Sequence, residues 1–163
     1  MTRTVKKRIL YPFVGDSIGG AQISTLTLIE NLDQSSYTPI VILHEDGVFA
    51  QFLNKKNIKF GLLPLPSYLG RQGNIFSLFS LLIITVPKLT WFLCRNKIDI
   101  VHAQDGRMNL TWVLPAKIAK TAFVWHQRSL FSVSRLLSLG ARFATKIVCI
   151  SKFTMASMPS HLK

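Results

Sequence analysis

Glutamate is nearly missing from this chain of 163 residues, where only Glu30 and Glu45 occur. With Asp16, Asp33, Asp46, Asp99 and Asp105 they make seven acids, all within the first 105 residues. Beyond Asp105 stand nine Lys or Arg and no acid at all, and the whole chain carries a formal +13. Such an imbalance sets up a positive field over part of the surface and favours anionic partners: a phosphorylated substrate, an anionic membrane face or nucleic acid. Cysteine is equally scarce. Cys94 and Cys149 lie far apart in apolar runs, with no CxxC and no Cys/His cluster, which excludes a disulfide framework and a zinc site. Buried free thiols in a reducing compartment are expected instead. No secretory leader is expected either. The basic start "MTRTVKKR" leads into a short apolar stretch that ends in Gly-Asp without a small-residue cleavage site. Low-complexity tracts, repeats and internal linkers are all lacking, so one domain is expected.

What is present is apolar. Hydrophobic residues make up 48% and charged ones only 17%, which rules out disorder. Strand-length apolar runs recur at 8–14, 38–44, 58–65, 98–103, 121–126 and 145–151. Most are rich in Val and Ile and apolar on both faces, as in buried parallel strands. Helical spacing fills the intervals. Ile23, Leu26 and Ile29, with Leu28 and Leu32, form a stripe from Gly20 to Asp33. Phe49, Phe52 and Leu53 form a shorter one, and 107–120 and 129–143 supply two more. Alternating strands and helices predict an α/β fold, a Rossmann-like, doubly wound, mainly parallel sheet with helices on both faces.

The run "IFSLFSLLIITVPKLTWFLC" at 75–94 contains one charge, Lys88, and is long enough to span a bilayer. Pro87 interrupts it, a central Lys opposes insertion, and a span would cut the strand–helix rhythm in two. The favoured reading is a core helix broken or restarted at Pro87, with Ser77, Ser80, Thr85, Lys88 and Arg95 forming a narrow polar strip. Interfacial membrane contact is the alternative.

Parallel doubly wound sheets bind ligands beyond the carboxyl ends of their strands. There the sequence places Gly15, Asp16, Ser17, Gly19 and Gly20, then His44, Glu45 and Asp46, then Gln104, Asp105, Gly106 and Arg107, then His126, Gln127, Arg128 and Ser129, then Ser151 and Lys152. The stretch "GDSIGGAQ" reads G-x-x-x-G-G, so the G-x-G-x-x-G dinucleotide fingerprint is absent. Gly19-Gly20 at a helix start still permits close approach of an anion; a tight turn with close packing is the other explanation.

Four stretches carry a resemblance in order: "GGAQ", "IDIVHAQDGRMNLTWVLPAKIA", "FVWHQRS" and "KIVCISKFTMASM". Together they resemble the N-terminal half of family-4-type glycosyltransferases, retaining enzymes with the two-domain B-type fold, across essentially all of 1–163. The resemblance implies transfer of a sugar from a nucleotide sugar to an acceptor held by this half. Cell-surface polysaccharide or lipopolysaccharide synthesis is the implied setting, with no cofactor or metal. Gly19 and Gly20 match the glycines that approach the donor phosphate, and His126 the histidine near the transferred sugar. His102, Asp105, Arg128, Gln22 and Ser151 stand as acceptor or cleft residues. Gln22 occupies a place that is often Glu, and Gln127 replaces a frequent Asp. The family's E-x7-E pair, in its second domain, cannot be formed by Glu30 and Glu45. The expectation is therefore an acceptor-side unit without its donor-side domain, inactive alone. Its implied partners are a sugar or lipid-linked acceptor, that missing domain and an anionic membrane surface; its implied place is the cytoplasm, peripheral on the inner face. A stand-alone Rossmann-like module for a nucleotide or phosphoryl ligand is the alternative. Nucleic acid ranks last, since its recognition motifs are absent.

Overall fold

The structure is a computed structural model that describes residues 5–66, 81–131 and 135–162. Six strands form one sheet: β1 (Lys7–Phe13), β2 (Tyr37–Leu43), β3 (Gly61–Leu62), β4 (Ile100–Ala103), β5 (Ala122–Gln127) and β6 (Lys146–Cys149). Their order is β3-β2-β1-β4-β5-β6, and every pairing is parallel. Among the described residues the α-helices are α1 (Gly20–Glu30), α2 (Val48–Lys55), α3 (Val86–Arg95), α4 (Gly106–Ile118), α5 (Arg135–Ala141) and α6 (Lys152–Ala156). The sequence order reverses between β1 and β4, which makes that junction the switch point of a Rossmann-like sheet.

Side chains alternate across the strands, so each sheet face has its own core. On one face Leu10, Val101, Phe123 and Trp125 pack with Leu89 and Leu93 of α3 and Met108 and Trp112 of α4. On the other Tyr11, Phe13, Val41 and Leu43 pack with Leu26 of α1 and Phe49 and Leu53 of α2. Burying each such side chain contributes about 1.5–3 kcal/mol. Asp105 caps α4 by accepting from the Met108 N–H at 3.0 Å.

Several expectations shift. The strand expected over 58–65 forms only at Gly61–Leu62. It lies on the sheet edge, and Pro64 and Pro66 have no N–H to continue a ladder. The helix expected from 129 is described from Arg135, with 132–134 outside the described residues. Before that gap the chain is held otherwise: Ser129 O accepts from Gln127 Nε2, and Phe131 N–H donates to Ser157 Oγ. On α1, Leu26 is buried but Ile23 and Leu28 are exposed, and Thr25 takes the second inner position. Both cysteines are free, but Cys94 is exposed and Cys149 only half-buried, so neither is the buried thiol expected.

Residues 75–80 of the long apolar run lie outside the described residues. The rest is a five-residue π-helical stretch, Leu81–Thr85, leading into α3 with Pro87 in its first turn. The helix is therefore not broken at Pro87: it runs on from Leu81 and changes from π to α geometry at Val86. Val86, Leu89 and Leu93 are its buried side. Of the expected polar strip, Ser77 and Ser80 lie outside the described residues, and the rest does not share one side, because Thr85 is fully buried while Lys88 and Arg95 are exposed. Lys88 donates to Pro64 O at 2.7 Å, which gives the run's one charge a local acceptor. Among the described residues no helix is long and apolar enough to cross a membrane.

Candidate functional site

The chain leaves β1 through Gly15, whose φ of +109° favours glycine. A Cβ there would lie 2.2 Å from Glu45 O, so the loop after β1 lies directly on the loop after β2. The loop then runs to Gly19, which has extended backbone angles and caps α1 without a side chain. Gln22 folds back to accept from the Gly19 N–H at 3.1 Å. Neither glycine of the pair is needed for packing. A Cβ on Gly20 would meet nothing within 4 Å, and one on Gly19 only the tip of Gln22 at 3.4 Å. The first turn of α1 carries no acid, so the partial positive charge of its amides is not cancelled by a side chain of that turn.

Asp16 ties this loop across the switch point. Arg107, in the first turn of α4, donates to its two carboxylate oxygens at 2.6 and 3.1 Å. That bidentate pair is the main reason the Asp16 carboxyl is held below its ordinary range. Asp105 goes the other way: burial raises it, against the Met108 N–H.

At the ends of β4 and β5 the site is built from neutral rings and one cation. His102 pairs with Val124 in register, which puts it diagonal to His126 on the same sheet face. His102 Nε2 lies 3.3 Å from His126 Nδ1, and the rings stack with centroids 5.4 Å apart. Tyr11 packs on His102 from β1, with ring centroids 5.5 Å apart. Only one proton fits between the two nitrogens, so the two rings cannot both be charged. Burial, then the neighbouring His126 and Arg128 charges, hold His102 down at about 4; burial and Arg128 do the same for His126. Arg128 itself donates to Gln104 Oε1 at 3.0 Å, and Gln104 donates to His102 O at 3.2 Å.

The structure thus brings His102, His126 and Arg128 into one cluster, with Asp105 at the adjoining helix start. Gly19, Gly20 and Gln22 open α1 across the Asp16–Arg107 bridge. Ser151 stands apart. Its hydroxyl caps α6 by accepting from Thr154 N–H, and it lines a cleft with Ile147 and Cys149, which share the Trp125 face rather than the His126 face.

Two features escaped the sequence. Asn109, in the second turn of α4, is 1% exposed; its Nδ2 lies 3.4 Å from His126 O, while its Oδ1 is buried without a partner among the described residues. A polar residue amid "RMNLTWVL" was the available signal. His44, expected at the ligand edge, is instead structural. Its Nδ1–H donates to Leu63 O at 2.7 Å and its Nε2 accepts from Trp112 Nε1 at 3.0 Å. Among the described residues no group of His, Cys, Asp and Glu is placed to hold a metal ion.

The family model described as Glycosyltransferase Family 4 matches residues 18–163. No curated protein matches the sequence. Among solved structures, Acinetobacter baumannii MurG is similar at TM-score 0.69 and 17% identity, covering 94% of this chain and 43% of that one. Anabaena Alr3699/HepE, in complex with UDP, gives 0.64 and 16%, covering 93% and 39%. The lipopolysaccharide outer core galactosyltransferase WaaB, in its apo form, gives 0.66 and 17%, covering 94% and 43%. The chain therefore spans about two fifths of these proteins' length.

Proposed function

Because this chain belongs to glycosyltransferase family 4, we propose that residues 1–163 form the acceptor-side unit of a retaining transferase that uses a nucleotide sugar. The observation that carries this reading is the glycine pair. Among the described residues nothing lies within 4 Å of a Cβ placed on Gly20, so its lack of a side chain leaves room there for a ligand from outside this unit. Departure of a nucleoside diphosphate builds negative charge, and the bare first turn of α1 is suited to meet it without a metal. His126, backed by His102, would lie beside the transferred sugar as a neutral hydrogen-bonding group, with Gln22 and Asp105 holding the two helix starts in place. The donor-side residues would come from a further domain.

The test is a pair of assays. The 163-residue chain alone is expected to transfer no sugar from any nucleotide sugar; turnover by it would overturn the half-enzyme reading. Joined to a family donor domain it is expected to turn over with the donor's anomeric configuration retained. There Gly20→Val should lower kcat/KM about 10-fold, equivalent to about 1.4 kcal/mol, with the thermal midpoint unchanged. Full activity in that variant would remove the phosphate role of the pair.

The reading extends to a lipid-linked acceptor at the cytoplasmic membrane face, in cell-surface polysaccharide or lipopolysaccharide synthesis. Its support is the outer side of the 81–95 segment, where Ile83 and Trp91 are 59% and 60% exposed beside Leu82 and Ile84. The Arg95 guanidinium lies 5.1 Å over the Trp91 ring, so apolar and cationic groups share one surface. Vesicles rich in phosphatidylglycerol are expected to carry the chain upward in flotation, and Ile83→Glu/Trp91→Glu to stay behind. A wild-type chain that ignores those vesicles would refute the membrane placement.

A further inference from the structure

The geometry points to Arg128 as the specificity-determining residue of this site, selecting an acceptor that carries an oxyanion, a phosphate or a carboxylate. The inference rests on the acceptor-side reading for the name of the ligand, and on the following contacts for its charge.

Arg128 is held in place by an uncharged partner. Gln104, only 1% exposed, accepts from one of its Nη groups at 3.0 Å and is itself fixed to His102 O. Among the described residues no carboxylate lies within salt-bridge distance of the guanidinium. The near acids are committed elsewhere, Asp16 to Arg107 and Asp105 to the Met108 N–H. Its other neighbours are the two imidazoles, neutral and placed so that Arg128 opposes their protonation. Among the described residues Arg128 Nε is buried with no partner, which leaves the guanidinium short of one bond. A half-buried cation with no carboxylate beside it is costly unless an anion completes it. The fork of an arginine fits two oxygens of one phosphate or carboxylate, which a lysine does not match. No acid follows Asp105 in the sequence, so nothing from the later strands and helices competes for that charge.

The experiment is an NMR titration of the imidazole signals of the 163-residue chain with inorganic phosphate and, separately, acetate, at constant ionic strength. One of the anions is expected to shift the His102 and His126 signals saturably and raise the pH at which they protonate. Saturation by phosphate identifies a phosphate-bearing acceptor, saturation by acetate a carboxylate-bearing one. Arg128→Lys, which keeps the charge, should bind about 10-fold more weakly, and Arg128→Gln should show no saturation. No saturable response to either anion in the wild type, or equal binding by the wild type and Arg128→Gln, would overturn the assignment. A two-domain protein that transfers no sugar would sink the acceptor-side reading and leave this titration untouched. A silent titration would leave transfer untouched.

Discussion

Gly15→Ala is expected to cost the folded unit about 4 kcal/mol, and Gly15→Val to prevent folding at 37 °C. Two costs combine. At φ +109° any side chain strains its own backbone, by about 1–3 kcal/mol. The new Cβ would also lie 2.2 Å from Glu45 O, a backbone atom that cannot rotate away. Nor can the loop retreat. Gly15 O accepts from the Phe49 N–H at 3.1 Å, and a Cβ on Gly47 would itself meet Gly15 O at 2.5 Å. The β1 and β2 loops are thus pressed together through two glycines, and separating them pulls Phe49 out of the core. Overpacking of this kind adds about 1–3 kcal/mol. Urea unfolding at pH 7 measures the loss; a Gly15→Ala protein within 1 kcal/mol of wild type, on the scale of ordinary surface changes, would contradict the argument.

The second large effect is acid lability centred on His44. Its Nε2 accepts from the Trp112 indole, so protonation there must break that bond. Burial is the chief cause that holds it at about 4, against an ordinary 6.5. Proximity of Lys88 adds to this, while the Leu63 carbonyl and Glu45 act in the opposite sense. The group is depressed on folding, so the unfolded chain binds its proton first as pH falls. Its contribution is therefore complete above pH 6.5 and disappears as pH drops from there through about 4, a loss of about 3 kcal/mol. His102 and His126 act with the same sign and, being less enclosed, add less. His44→Phe should be less stable at pH 7, because Trp112 Nε1 and Leu63 O lose their partner. It should also show a flatter decline in stability between pH 6.5 and 4. An unaltered slope in that variant would reassign the acid lability to other groups.

The parallel strands were legible because Val- and Ile-rich runs mark them directly: 8–14 against Lys7–Phe13, 38–44 against Tyr37–Leu43, 121–126 against Ala122–Gln127. The edge was less so. Around β3 an apolar run like the others yields two paired residues, since pairing depends on prolines and neighbours more than on hydropathy. In α1 the apolar count suggested a stripe, but the residues lie all around the helix and only Leu26 among them is buried. Strand ends told where His102, His126 and Arg128 would converge, because the carboxyl edge of a parallel sheet is fixed by topology. Pairings across it were not readable. Asp16 with Arg107, His44 with Trp112 and Asn109 with His126 join residues 17 to 91 positions apart. Nothing local in the sequence records such contacts.

The position of β1 at the centre of the sheet has a consequence for synthesis. It is made before the other five strands of the sheet, yet one of its two edges is closed by β4, with Arg8 N–H meeting the Asp99 carboxylate 91 positions later. Until that point a nascent chain displays Ile9, Leu10, Tyr11 and Phe13 beside an unpaired strand edge, the state most prone to stick to other chains. The switch point is therefore the seam that completes β1, and a polypeptide released before β4 would carry the glycine loop on a strand with half its partners.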